Sequence, residues 1–153
     1  MTEHAISSDV QTLNLEKNQS IQAPIAIVWE SILEELGPAG DHPQGGKMPM
    51  VLEAFPGGRW FRDTGDNTGH FWGHVQVIKP PKLLEICGPM FMSYPAISHV
   101  QWRLTEEGKG TRLTLTHKAI GLLDPEHMKG VHQGWQYKLD KIVQHAARRV
   151  KEM

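Results

Sequence analysis

One cysteine in 153 residues excludes an internal disulfide and any thiolate zinc cluster, since each needs at least two sulfurs. Charge of one sign is just as scarce. Sixteen Lys and Arg against seventeen Asp and Glu leave a formal net charge of −1, so no field draws the chain to nucleic acid or to an anionic membrane. The main basic group, Arg148, Arg149 and Lys151, suits the negative end of a helix dipole instead. No apolar run approaches the ~18 residues of a membrane-spanning helix, so no membrane insertion is expected. Residues 1–9 lack the basic and apolar regions of a secretory signal, and a cytoplasmic location follows as the expectation. Gly-x-Ser-x-Gly elbows, phosphate-cradling glycine loops and His-Glu-x-x-His patterns are all missing. Cys87 has no basic neighbour in the sequence to lower its pKa. Neither a metal nor a cofactor is expected.

What is abundant is His and Trp, nine and five residues respectively, concentrated between Trp60 and Trp135. The rest has ordinary globular composition, with 39% hydrophobic and 22% charged residues. Residues 1–10 read as a flexible tail and 11–153 as one domain. Leu13, Leu15, Lys17, Gln19 and Ile21 share a face of an extended segment. Ala23-Pro24 opens a helix whose Ile25, Val28, Trp29, Ile32, Leu33 and Leu36 follow helical spacing until Gly37-Pro38 stops it. Residues 37–49, rich in Gly and Pro, read as a loop. Short strands follow at Met50–Phe55, Arg59–Arg62, His70–Ile78, Leu83–Cys87, Ser98–Leu104 and Thr111–His117, separated by Gly and Pro turns. Residues 88–97 form an apolar loop. Asp124 as N-cap and Pro125 at the first helical position then start a helix over 125–150. Its apolar stripe contains Met128, Val131, His132, Trp135, Leu139, Ile142, Val143 and Ala146.

The order β-α-β-β-β-β-β-β-α predicts an α+β fold in which an antiparallel sheet buries one face against the helices. Val100, Trp102 and Leu104 alternate with polar residues and face the core, and His117 falls on the apolar face of its strand. In the strand from residue 70, strict alternation groups Phe71, Gly73, Val75 and Val77 against His70, Trp72, His74 and Gln76. Glycines at 57, 58, 69 and 73 let the sheet bend sharply. A bent sheet around one long helix grips it at one end and gapes at the other, which makes a ligand cavity.

Five stretches in this order carry a resemblance. They are Ala23-Pro24-Ile25-Ala26-Ile27-Val28-Trp29, Pro56-Gly57-Gly58-Arg59-Trp60, the strand and proline corner from Gly73 through Pro80-Pro81 to Leu83, Gly110-Thr111-Arg112 through His117, and Gly134-Trp135 through Leu139. Over residues 12–150 the chain resembles the START-like, or SRPBCC, superfamily with its helix-grip fold, most closely the branch named for the C-terminal domain of the activator of the 90-kDa heat-shock chaperone's ATPase. The resemblance implies a curved antiparallel sheet wrapped around a long C-terminal helix, and a cavity between them. Members include lipid and hormone carriers, polyketide cyclases and oxygenase subunits. Relatives often carry a second short helix where this chain has its 37–49 loop.

Three functions follow as expectations. The first is a binding protein for a small apolar or aromatic ligand. Its expected lining is Met48, Met50, Trp60, Phe71, Met90, Phe91, Met92, Trp102, Leu115, Met128 and Trp135, with Tyr94, His117 or His132 orienting the ligand. The second is a cyclase or dehydratase in which His132 or His117 acts as general base. The third, least favoured, is a co-factor of the chaperone, because the founding activator is similar only in part and carries a separate chaperone-binding domain. Homodimer formation is left open. Histidine pairs speak against a metal: His70 and His74, placed by alternation on one strand face, would stand about 13 Å apart, and His127 and His132 point in different directions on their helix.

Overall fold

The computed structural model describes residues 9–43 and 45–153, so the expected tail lies almost wholly outside the described residues. Its elements run β1 (Gln11–Ile21), α1 (Ile25–Leu36), β2 (Val51–Leu52), β3 (Arg59–Gly65), β4 (Thr68–Lys79), β5 (Leu83–Gly88), β6 (Ala96–Glu107), β7 (Gly110–Gly121) and α2 (Pro125–Lys151). The seven strands form one antiparallel sheet in the order β1-β7-β6-β5-β4-β3-β2. Asp124 caps α2 as the sequence predicts, its side chain accepting from the Glu126 amide at 3.0 Å. The described residues of the segment 37–49 form a loop without a helix, pinched by a backbone β-bridge between Asp41 and Lys47 and tied to α2 by a Lys141–Asp41 ion pair of 3.3 Å. Among the described residues no helix is long and apolar enough to cross a membrane.

The ladder is interrupted where β4 passes between β3 and β5. Trp60 opposes Gly73 and Phe61 opposes Phe71, so Trp72 is an extra residue bulged out of the ladder. Gly88 lies so close beneath this bulge that a Cβ there would sit 2.5 Å from the Gly73 Cα and the Trp72 carbonyl. The bulge overturns the predicted alternation. Trp72 turns inward against Trp60, with ring centroids 4.9 Å apart, while Phe71 turns outward against His74 and is 42% exposed. His70 and His74 therefore sit on opposite faces.

Both helices cover the concave face. Leu139, Ile142 and Ala146 of α2 are fully buried with Val100, Leu104, Leu113 and Leu115 of the sheet. α1 closes the same core with Val28, Ile32 and Leu36, all inaccessible to solvent. Where the helices meet, Glu35 is completely buried and accepts from Lys138 Nζ and bonds His145 Nε2, each at 2.9 Å. Next to it, Glu34 receives both Arg148 and Arg149. The basic end of α2 thus has a partner more specific than the helix dipole.

Removing one member of a buried ion pair strands the other, which typically costs 3–5 kcal/mol. Glu35→Ala should therefore lower the unfolding free energy by about 3 kcal/mol or more, read as a drop in the urea midpoint at constant slope. A loss below about 1 kcal/mol would mean that the ion cluster does not hold α1 against α2.

Candidate functional site

Trp135 and His117 define the inner end of the site. The indole Nε1–H has only a proton to give, and it donates to His117 Nδ1 at 2.9 Å. His117 must then carry its own proton on Nε2, which faces Ser98 Oγ at 2.8 Å. Ser98 in turn donates to the Met92 sulfur at 3.9 Å. Every member of this chain is buried. Burial, with a smaller contribution from His127, depresses the His117 pKa from 6.5 to about 4. His117 is a neutral, saturated imidazole pinning helix to sheet, with no lone pair left for a reaction.

Outward from this pin α2 leaves the sheet and a cavity of about 610 Å³ opens beneath it. The helix presents His127, Gly130, Val131, Gly134, Trp135 and Lys138 at three- and four-residue spacing, with Gln133 and Tyr137 on the flank. Trp60 and Trp72 form the sheet wall, Phe91 comes from the β5–β6 loop, and His42, Pro43 and Met48 come from the loop after α1. The rings stand edge to face around the space: Trp72–Phe91 at 5.6 Å, Phe91–His127 at 5.3 Å and Phe91–Trp135 at 6.2 Å. Trp60 is held from behind by donating to the Leu36 carbonyl at 2.7 Å. The polar positions are Lys138, backed by Glu35, His127, whose Nδ1 bonds Tyr94 Oη at 2.8 Å, and His42, Gln133 and Tyr137. A smaller outer groove, about 430 Å³, continues past Met48, Trp72 and Phe91.

The expected lining residues divide accordingly. Met48, Trp60, Phe91 and Trp135 line the cavity, and Phe71, Met90 and Met92 border the outer groove. Met50, Trp102, Leu115 and His117 are buried behind the walls. Met128 packs on the core from the other flank of α2, and Tyr94 reaches the site through His127. His132 is a correction: it is exposed and absent from the cavity wall. The histidines that line the cavity are His127 and His42. Cys87 needs a correction too, because strand pairing sets His74 and His99 directly opposite it on either side; burial, then Glu85, nevertheless pushes its thiol pKa up. The described residues hold no group of three or more His, Cys, Asp or Glu placed to bind a metal ion. Sequence reasoning missed Trp72, His127, Lys138 and the glycines 130 and 134. The glycines carried a signal, since two helix-weakening residues four apart inside a well-capped helix need a reason.

Residues 42–147 match the family model described as Activator of Hsp90 ATPase homolog 1-like protein. The chain belongs to that family. The match spans the cavity walls from His42 to Lys138. None of the curated proteins matches the chain significantly in sequence. Among solved structures, a putative uncharacterized protein from Rhizobium leguminosarum is 20% identical, with a TM-score of 0.67 over 92% of this chain and 97% of that one. The di-domain ARO/CYC StfQ from the steffimycin biosynthetic pathway is 13% identical with a TM-score of 0.65, covering 92% of this chain but 52% of StfQ. Ara h 8.0201 is 11% identical with a TM-score of 0.64, covering 90% and 99%. At these identities the likeness establishes the helix-grip fold and nothing finer.

Because His117 is neutral in the folded protein but binds a proton near pH 6.5 when unfolded, its contribution is complete above pH 6.5 and fades as pH falls toward 4. The loss amounts to about 3 kcal/mol at most. Denaturation curves at pH 7 and pH 4.5 should show a smaller pH-dependent loss in His117→Gln than in the parent. Equal losses would contradict a buried neutral His117.

Proposed function

We propose that the protein binds a small apolar or aromatic molecule in the space between the concave sheet and the N-terminal half of α2. One observation carries this reading: a Cβ built on Gly130 or Gly134 meets no atom within 4 Å. Alanine would raise helix propensity by roughly 1 kcal/mol at each position, and no packing neighbour forbids it. The glycines keep room open over an aromatic wall whose exposed lining is mostly carbon, as ligand cavities are. Hydrophobic burial would supply the affinity, while Lys138 and the Tyr94–His127 pair would orient a polar end.

A second reading, catalysis of a cyclase or dehydratase type, is favoured by one arrangement. His127 lines the cavity with Nδ1 bonded to Tyr94 and with no hydrogen bond to Nε2 among the described residues. Where Nδ1–H donates to the Tyr94 oxygen, Nε2 keeps its lone pair and can serve as a general base. This role belongs to His127 rather than to His132 or His117. If turnover of a cyclisable substrate occurs, His127→Ala should reduce kcat by about a hundredfold or more, and an unchanged kcat would end the reading.

Gly134→Leu tests the binding reading. The variant should unfold at a higher temperature, because a helix former replaces glycine, and should bind the neutral fluorophore N-phenyl-1-naphthylamine at least about tenfold more weakly. Unchanged affinity in a folded variant would show that the fluorophore does not occupy this cavity.

A further inference from the structure

The outer groove is built differently from the cavity it adjoins. On β3 the concave face runs from Trp60, in the cavity wall, to Arg62, about 7 Å further along the strand. His70 is the direct cross-strand partner of Arg62, which sets their Cβ atoms about 5 Å apart on that face. Arg59, Arg112, Arg148 and Arg149 each face a carboxylate. The side chain of half-buried Arg62 makes no hydrogen bond or ion pair with any described residue. The described lining of the groove includes no Asp or Glu. Met48, Trp72 and Phe91 line both spaces, so one molecule can extend from one into the other.

We propose that the outer groove is a carboxylate subsite, and that the occupant is an amphiphilic acid with its apolar body under α2 and its carboxylate on Arg62, beside His70. The inference rests on the binding reading above and specifies its ligand class. A planar guanidinium matches a carboxylate through two parallel hydrogen bonds. The groove holds a single guanidinium, with His70 beside it and His42 further along the lining, and one planar fork fits the two oxygens of a monoanionic carboxylate. Met90 and Met92 add apolar surface along the groove.

The test compares 6-phenylhexanoate with 6-phenylhexan-1-ol, followed by the fluorescence of the wall tryptophans, in the native protein and in Arg62→Gln. The native protein should bind the acid at least about tenfold more tightly than the alcohol. Arg62→Gln should abolish that preference while leaving the alcohol's affinity unchanged, which also shows that the variant is folded. Equal binding of both compounds by the native protein, or equal weakening of both by the substitution, overturns the subsite and leaves the cavity reading standing. Binding of neither compound overturns both.

Discussion

The hydrogen bond from the Trp135 indole to His117 divides the molecule into a part that holds the fold and a part that leaves space. Both partners are almost wholly buried, and an indole N–H placed there without an acceptor would cost the desolvation of the group. The bond therefore fixes the depth at which α2 sits on the sheet. C-terminal to it, Leu139, Ile142 and Ala146 pack without gaps and Lys138 meets Glu35. N-terminal to it, the helix carries Gly130 and Gly134 in place of knobs. The same helix thus packs at one end and stands clear at the other.

The sheet supplies the complementary constraint. A cavity of this size would collapse if the surrounding elements could move inward, because empty apolar space forfeits dispersion contacts. Three features resist collapse. The bulge at Trp72 and the close backbone approach of Gly73 and Gly88 set the curvature. Trp60 is braced by the Leu36 carbonyl and by Trp102 at 6.2 Å. The ion cluster of Glu34, Glu35, Lys138, His145 and the terminal arginines clamps α1 to α2. The walls are held by polar contacts from behind, so their apolar faces remain free toward the cavity.

Much of this was legible in the sequence. The order of all nine elements, the Asp124 cap and the burial of His117 follow from caps, turns and periodicity. Two kinds of information did not. Alternation cannot register an inserted residue, so every assignment in β4 before Gly73 was inverted by the bulge, exchanging Trp72 for Phe71. A hydrophobic stripe likewise marks which face of a helix is buried but not which flank borders a gap. His132 and Met128 lie on the flank away from the cavity, whereas His127, Gly130 and Gly134 lie on the flank that lines it. Long-range charge pairing, such as Glu35 with Lys138 across 103 residues, has no local signature at all.

A ligand is proposed to sit in the space under the N-terminal half of α2. An NMR titration with N-phenyl-1-naphthylamine locates the ligand directly, through the backbone amides of Gly130 and Gly134 and the indole signals of Trp60, Trp72 and Trp135. The account predicts the largest shifts at these positions, with contacts between ligand protons and the Phe91 ring, and little change at Leu139, Ile142 and Ala146. Shifts that cluster on the convex face around His74 and His99, with Gly130 and Gly134 unmoved, would contradict it.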